Sequence, residues 1–190
     1  MYSLKIIIAS TRPTRKGPAV AAWIMEEATK QPQFNAELID LKEVNLPVFD
    51  EPKHPRFGEY DHEHTKRWSA LIAPADAFIV VTPEYNYSAP PSLINALTYL
   101  VKEWKYKPMA FVSYGGLSGG MRSVQSLKPL ITTFAMMPLP DAVNIPNFAQ
   151  HINEEGKFVS YEAAEIASHD MFTELLKWTK ALKPMREGEK

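Results

Sequence analysis

The chain has 190 residues, of which 45% are hydrophobic and 23% charged, and its formal net charge is −1. This length suits one well-buried domain rather than two, and the near-zero charge gives no electrostatic reason to expect nucleic acid or an anionic membrane as a partner. The absence of cysteine excludes disulfides, thiol chemistry and thiolate metal sites.

Strand-like and helix-like segments alternate along the chain. Apolar runs predict strands at residues 4–9, 36–41, 76–82, 108–114 and 139–145, and Pro140 predicts that the last strand lies at a sheet edge. Helical spacing predicts helices at residues 17–30, 64–73, 91–104, 119–134 and 161–182. The alternation favours a parallel sheet covered on both faces. We expect one domain over residues 1–183 and a frayed tail at 184–190.

The longest irregular stretch is residues 42–63, named the excursion below. Pro47, Pro52, Pro55 and Gly58 interrupt it, and it reads as part of the same domain. The first strand begins without a basic leader or a cleavage site, and no apolar run approaches the roughly 18 residues of a membrane span. We therefore expect a cytoplasmic protein with no membrane partner.

The first loop, residues 10–17, leads from the first strand directly into a helix. A helix start offers unpaired N–H groups and the positive end of the macrodipole, which favour an anion. Ser10 and Thr11 add hydroxyls, while Arg12 and Arg15 can each grip a phosphate with paired N–H bonds. The loop has neither the dinucleotide nor the Walker glycine pattern. Taken alone, it could equally be a helix start with two solvated arginines.

Two further loops follow buried strands. The second loop, residues 82–88, offers a hydroxyl, a carboxylate, an amide and two aromatic rings, which suits a flat heteroaromatic ligand. The third loop, residues 113–122, holds four of the eight glycines, which is more than a tight turn needs and suggests a ligand against the backbone. In the sheet order 2-1-3-4-5 the strands before these three loops are adjacent, so the loops meet at one sheet edge.

With these motifs in order, the chain resembles the NADPH-dependent FMN reductase family, which includes small NAD(P)H:quinone reductases and azoreductases. The matching segments are Ser-Thr-Arg at 10–12, Asp-Leu at 40–41, Leu-Pro at 46–47, Pro-Glu-Tyr-Asn-Tyr-Ser at 83–88, Leu93 with Asn-Ala at 95–96, and Ser-Tyr-Gly-Gly at 113–116. The resemblance implies a flavodoxin-like α/β three-layer sandwich with a five-stranded parallel sheet in the order 2-1-3-4-5.

The same resemblance implies where FMN binds. Its phosphate would lie on Ser10, Thr11, Arg12 and Arg15, helped by the backbone up to Gly17 and Pro18. Pro83, Glu84, Tyr85 and Asn86 would line the ribityl chain and the ring, and Ser113, Tyr114, Gly115 and Gly116 would follow the pyrimidine edge.

The implied reaction is two-electron transfer from NADPH or NADH through FMN to a quinone, azo compound or flavin, with ping-pong kinetics and no catalytic acid or base. The implied assembly is a homodimer or homotetramer. Two alternatives stay open: an electron carrier of the flavodoxin type, and a regulatory relative without cofactor.

Four positions depart from the family pattern. Ala9 and Pro91 stand where glycine is usual, and Ile94 and Thr98 replace a common lysine and aspartate. Pro91 suits a first helical turn. The lost charges put the oligomer in question more than flavin binding.

Two other sets of residues have the chemistry of a ligand site. His54, Asp61, His62, Glu63 and His64 could form a metal site, but a solvated helix start is favoured because i and i+2 residues do not share a helix face. We therefore predict no metal. Asp40 could grip a ribose, but without the glycine fingerprint we expect it to cap the following loop. For Glu84 we expect a structural or subunit contact, since a flavin would carry the chemistry.

Overall fold

Five parallel strands form a single sheet in the order β2-β1-β3-β4-β5 in the computed structural model, which describes residues 1–188. The strands are β1 (Tyr2–Ile8), β2 (Phe34–Asp40), β3 (Ala77–Pro83), β4 (Pro108–Tyr114) and β5 (Met137–Ile145). This confirms the predicted flavodoxin-like topology. The edge position of β5, inferred from Pro140, is also confirmed.

Six helices cover the two faces of the sheet in the described residues. On one face lie α1 (Gly17–Thr29) and α6 (Glu162–Glu187); on the other lie α2 (Leu41–Val44), α3 (Glu63–Ile72), α4 (Pro91–Thr98) and α5 (Met121–Thr133). Every residue of β3 and β4 is buried, as expected for central strands covered on both sides. No helix in residues 1–188 is long and apolar enough to cross a membrane.

Side chains alternate between the two faces along each strand and so build two cores. Ile6 and Ile8 pack under α1 and α6, while Ile7 between them packs toward the opposite helices. Each fully buried aliphatic side chain of this kind contributes about 1.5–3 kcal/mol by leaving water. The two cores fix the sheet between its helical layers and thereby hold the loops at its carboxyl edge.

Helix α4 ends at Thr98, six residues before the predicted end at 104. The indole Nε1 of Trp104 donates to Leu97 O at 3.1 Å, and Leu100 N also reaches this carbonyl at 3.5 Å. A continuing α-helix would pair that carbonyl with the residue four positions later. The buried tryptophan therefore folds back over the helix end, and the apolar spacing beyond 98 belongs to turns.

Helix α6 continues to Glu187, five residues beyond the predicted end. The prediction of a frayed tail from 184 is therefore wrong for 184–187, and Glu189 and Lys190 lie outside the described residues. Arg186 donates to Tyr106 O at 2.7 Å and to Asp76 Oδ1 at 2.8 Å, which secures the last turn to the start of β3. These partners lie 80 and 110 positions away in sequence, so local pattern could not reveal them.

The excursion is bound to α4 and to the turns after it. Asn95 accepts from Phe49 N at 2.9 Å and donates to Pro47 O at 2.7 Å. The Tyr99 hydroxyl donates to Asp50 Oδ1 at 2.9 Å. The excursion thus lies beside the second loop, and its residues form part of the cavity described next.

Candidate functional site

The carboxyl ends of β1, β3 and β4 bring the three loops to one edge of the sheet, because these strands are neighbours. A cavity of about 1100 Å³ lies there between the first loop, the second loop, α4 and the excursion. The predicted site residues in its lining are Thr11, Arg12, Glu84, Tyr85 and Asn86. The third loop lies outside this lining and is connected to the second loop by the contacts of Glu84.

The first loop presents an uncapped helix start. Lys16 occupies the N-cap position of α1, and no side chain of the described residues caps that end. Thr11 and Arg12 are exposed beside it, whereas Ser10 is fully buried. Pro18 carries no N–H and Ala19 N donates to Lys16 O at 3.1 Å, so Gly17 is the last available backbone donor of this helix start. The geometry suits an anion held by backbone N–H groups and by Thr11 and Arg12.

Arg15 is turned toward the protein rather than toward the cavity. Its guanidinium pairs with Asp40 and donates to Ser10 O at 3.2 Å, and its side chain is only 10% exposed. Asp40 also accepts from Lys42 N at 3.0 Å, which is the capping role expected from its position before α2. The ion pair therefore shapes the first loop and connects it to the end of β2.

Hydrogen bonds join the first loop to its neighbours. The hydroxyls of Ser10 and Tyr85 are 2.6 Å apart, which connects the first and second loops. Ser92 in α4 donates to Ala9 O at 2.6 Å. Ala9 is completely buried, and α4 begins at Pro91, in the first-turn position that its missing N–H favours.

The second loop contains a tight two-residue turn at Asn86 and Tyr87. Tyr85 N donates to Ser88 O at 2.9 Å and Ser88 N donates to Tyr85 O at 3.0 Å. Asn86 and Tyr87 both have positive φ, 51° and 66°. Asparagine tolerates this conformation, but a bulky tyrosine does not adopt it without cost, and such strain is concentrated at functional sites. The Tyr87 ring is 68% exposed and lies 4.2 Å from the Arg122 guanidinium.

Glu84 connects the second loop to the third. Its carboxylate accepts from Ser118 Oγ at 2.8 Å, from Arg122 N at 3.2 Å and from the Arg122 guanidinium at 2.9 Å. Burial acts to raise the pKa of Glu84, but the hydrogen bonds from Ser118 and Arg122 outweigh it and lower the pKa below its usual value. The Glu84 side chain is a hydrogen-bond acceptor within the protein. Of the structural and subunit contacts expected from the sequence, this is the structural one.

Two residues of the third loop point away from the predicted pyrimidine edge. Ser113 Oγ lies 2.8 Å from both Gly119 O and Asn144 Oδ1 and is fully buried. Tyr114 packs on the α1 side of the sheet, and a Cβ added at Gly17 would lie 2.8 Å from its hydroxyl. Burial raises the pKa of Tyr114. Its side chain therefore lies beneath the start of α1, at the expected phosphate end.

The glycines of the third loop do not share one cause. Gly119 and Gly120 have positive φ, and a Cβ at Gly120 would lie 2.8 Å from Tyr114 N, so backbone geometry alone requires them. Gly116 differs, since a Cβ there would meet no atom within 4 Å. Gly119 and Gly120 therefore give no indication of a ligand, contrary to the sequence argument from four glycines. Gly116 is the position with open space above its backbone.

His62 of the excursion and His64 of α3 bind protein groups. His64 Nε2 lies 2.9 Å from Asp50 Oδ1, and His62 Nε2 lies 3.2 Å from Asp50 O. Within residues 1–188, no cluster of three or more His, Asp or Glu side chains is arranged to hold a metal ion. Asp50, which the sequence interpretation did not include, fastens the excursion between α3 and Tyr99.

Several site residues were not identified from sequence. Leu46, Val48, Ser92, Ile94, Asn95 and Thr98 line the cavity, and Ser118 and Arg122 hold Glu84. Helical spacing offered a signal for α4, because positions 91, 94, 95 and 98 share one face. Residues of the excursion gave no such signal, since their place depends on contacts with α4.

Comparison with known proteins gives consistent matches. Residues 3–150 match the family described as NADPH-dependent FMN reductase. An NAD(P)H-dependent FMN reductase of Schizosaccharomyces pombe is 44% identical over 117 residues, which cover 60% of this chain and 58% of that protein. An NAD(P)H-dependent FMN reductase of Saccharomyces cerevisiae is 30% identical over 176 residues, which cover 79% of this chain and 90% of that protein.

Among solved structures, the flavoenzyme FerB, an NAD(P)H:(acceptor) oxidoreductase from Paracoccus denitrificans, has the same fold. The TM-score is 0.74 at 20% identity, and the match covers 96% of this chain and 99% of FerB. At this identity the likeness supports the fold alone.

Proposed function

The chain belongs to the NADPH-dependent FMN reductase family, and on that premise we propose that it binds FMN at the three loops and transfers two electrons from NADPH or NADH to a small-molecule acceptor. The observation that supports this best is the uncapped start of α1 beside Thr11 and Arg12, at one end of a large cavity. When bound, FMN supplies the redox chemistry between nicotinamide and acceptor.

The phosphate site is proposed at the first loop. Thr11 and Arg12 are exposed and line the cavity there, and the N–H of Gly17 completes the donor set at the helix start. Ser10 and Arg15 hold the loop in shape through Tyr85 and Asp40. Their contribution to FMN binding is therefore structural in this proposal, and Arg12 carries the charge that meets the phosphate.

The ring site is proposed between the second and third loops. Pro83, Tyr85 and Asn86 contribute backbone and ring surface, and Gly116 leaves room for its backbone N–H to approach the pyrimidine edge. Gly115 N donates to Ile145 O at 3.2 Å, so its part is to hold the turn beside that edge. Glu84 keeps the two loops at a fixed separation. Donors at that edge favour the negatively charged reduced form and so adjust the redox potential.

The acceptor is proposed to occupy the outer part of the cavity. Leu46, Val48 and Ile94 give this part an apolar wall, with Asn95 as a polar group beside it. Such a wall suits a flat neutral acceptor such as a quinone, and relatives from Pseudomonas putida and a Bacillus species are named quinone reductase and NADPH azoreductase. Nicotinamide and acceptor would use the same open face in turn, so ping-pong kinetics with parallel initial-rate lines are expected, and intersecting lines would contradict the shared face.

Purified full-length protein provides the first test. It should take up FMN and show a flavin absorbance spectrum that NADPH bleaches rapidly under anaerobic conditions. Slow bleaching would favour an electron carrier of the flavodoxin type. A preparation that takes up no added FMN would favour a regulatory relative without cofactor.

Arg12→Ala tests the phosphate assignment. Loss of a charge-assisted hydrogen bond of about 1.5–3 kcal/mol should raise the Kd for FMN about 10- to 150-fold. Arg56→Ala is the matched control, because it removes the same charge from an exposed turn of the excursion. Arg12→Ala should leave the melting temperature of the apoprotein unchanged. Equal FMN affinity of the two variants would refute the assignment.

Three sequence predictions stay predictions in this proposal. Residues 1–183 are taken as one FMN-binding domain, and packing of α6 against β4 and β5, in the same core as α1, supports this. Assembly into a homodimer or homotetramer and a cytoplasmic location are taken over from the sequence interpretation. Size-exclusion chromatography with light scattering tests the assembly.

A further inference from the structure

A second cavity lies at the opposite edge of the sheet, where β3 and β4 begin. This basal cavity has a volume of about 590 Å³ and is bounded by the end of α3, the turns that precede β4, and Arg186 of α6. The flavin site proposed above uses none of its residues. Lys107, immediately before β4, lines the basal cavity although its side chain is only 4% exposed.

The hydrogen bonds of Lys107 match a neutral amine. Nζ donates to Ala73 O at 2.8 Å and to Ile72 O at 3.3 Å, two carbonyls at the end of α3. Residues 1–188 offer no third acceptor to this nitrogen. Nζ also lies 5.7 Å from the centroid of the Phe78 ring. An amine has two N–H groups and a lone pair, so both donors are used and the lone pair remains, whereas an ammonium ion would bury an unpaired N–H.

The surrounding charges act in the same direction. Burial first, and then the nearby Arg186 guanidinium, lower the pKa of Lys107 to about 7, against the opposing effect of Asp76 and Glu103. Carboxylate partners raise the pKa of several exposed lysines, namely Lys30, Lys53, Lys66 and Lys177. The chain also has no cysteine to compete for electrophiles. Lys107 is therefore distinguished as a nucleophile.

The lining of the basal cavity indicates which electrophile fits. Lys102 and Arg186 line it, and each has more N–H groups than its bonds use: Lys102 donates to Phe57 O, and Arg186 donates to Asp76 Oδ1 and Tyr106 O. Basic side chains favour a ligand with a negative group, and a desolvated amine beside a cation is the arrangement that activates lysine toward carbonyl carbon.

We propose that Lys107 is a carbonyl-reactive amine and that the basal cavity binds a small aldehyde bearing an anionic group. Nζ adds to the carbonyl carbon, and the resulting carbinolamine loses water, whose oxygen comes from the carbonyl and whose hydrogens come from the amine. The product is an imine, and no electrons are exchanged. The imine nitrogen keeps at most one N–H, so at least one bond to the α3 carbonyls is given up, which favours reversal.

Pyridoxal 5′-phosphate, an aldehyde with a phosphate group, is the reagent for the test. Full-length protein at pH 7 is treated with less than one equivalent, reduced with borohydride and mapped by peptide mass spectrometry. At pH 7 an amine of pKa near 7 is about a thousandfold more deprotonated than an ordinary lysine, so even with restricted access we expect labelling at Lys107 to exceed that at Lys102 or Lys105 about tenfold. Uniform labelling of lysines would overturn the proposal.

Two variants and a second aldehyde complete the experiment. Lys107→Met should abolish the preferred label, and Lys30→Met, the control at an exposed position outside the basal cavity, should leave it on Lys107. Because Lys107→Met could also disturb α3, the wild-type labelling pattern decides the result on its own. Acetaldehyde tests the anionic group: equal selectivity for Lys107 with acetaldehyde would refute the anion subsite, and a weaker one would support it.

Discussion

Replacement of Glu84 by glutamine tests whether the second and third loops act as one unit. The carboxylate is 11% exposed and accepts hydrogen bonds from Ser118 Oγ, Arg122 N and the Arg122 guanidinium. Glutamine preserves the shape and one acceptor oxygen but removes the negative charge. The substitution therefore isolates the charge-assisted part of the connection between the loops.

The expected loss follows from the three bonds. Hydrogen bonds to charged groups contribute about 1.5–3 kcal/mol and neutral ones about 0.5–1.5 kcal/mol. The guanidinium of Arg122 is 52% exposed, so solvent screens its share, and the change falls mainly on the bonds from Ser118 and from Arg122 N. We expect Glu84→Gln to lower the free energy of unfolding by about 1–2 kcal/mol, and the melting temperature by about 2–8 °C for a chain of this size.

Urea unfolding of the apoprotein at neutral pH measures this loss, with Glu155→Gln as the control because Glu155 pairs with Lys157 at a 70% exposed position. The control should stay within about 0.5 kcal/mol of wild type. The pKa of Glu84 is lowered in the folded state, so its contribution is present above the ordinary value of 4.5 and is lost as pH falls below it. The gap between wild type and Glu84→Gln should therefore narrow in acid. An equal loss in both variants at neutral pH would refute the role of Glu84.

Three further predictions test other parts of the fold. Gly120→Ala should cost at least about 2 kcal/mol in urea unfolding, because φ is +82° and the new Cβ would meet Tyr114 N, whereas Gly116→Ala should cost less than about 1 kcal/mol; similar losses would contradict this account. Relative to Lys107→Met, wild type should gain free energy of unfolding as pH rises from about 7 toward 10.5, by up to about 1.4 kcal/mol per pH unit. The reason is that Lys107 binds a proton in the unfolded chain but not in the folded chain over this range. A constant difference between the two proteins would refute the neutral amine. Asp76→Asn should speed amide hydrogen exchange in the last turn of α6, since it weakens the bond from Arg186, and unchanged exchange there would exclude this anchor.

Sequence periodicity was sufficient for the sheet and for the position of the loops. Apolar runs marked all five strands, and a parallel sheet in the order 2-1-3-4-5 brings the ends of β1, β3 and β4 together. The alternation of side chains along β4 also predicts the sheet face on which Tyr114 lies. Tyr114 shares a face with Val112 and therefore faces α1. The sequence interpretation placed residues 113–116 along the pyrimidine edge and did not assign the Tyr114 side chain to a face.

Contacts between residues far apart in sequence explain the features that sequence periodicity did not predict. Arg15 looked like a phosphate ligand because it follows Arg12 in a basic loop, yet its nearest carboxylate is Asp40, 25 positions later at the end of β2. Helix α4 looked longer because Trp104 continues its apolar spacing, yet the indole takes the carbonyl of Leu97. In each case a side chain binds a group whose nearness only the folded chain creates.

Some residues of the site bind other protein groups, whereas others are exposed in it. This difference determines how each kind of residue affects ligand affinity. Arg15, Glu84, Ser10 and Ser113 are bound to protein atoms. The proposed FMN site therefore uses Thr11, Arg12, Asn86 and the backbone near Gly17 and Gly116. Backbone donors are effective only where the loop already has the bound shape, because ordering a loop on binding costs about 1–2 kcal/mol for each residue fixed. We therefore expect Glu84, which holds the second and third loops together, to contribute to FMN affinity without touching the ligand. Its loss should weaken FMN binding even where every residue that contacts FMN is intact.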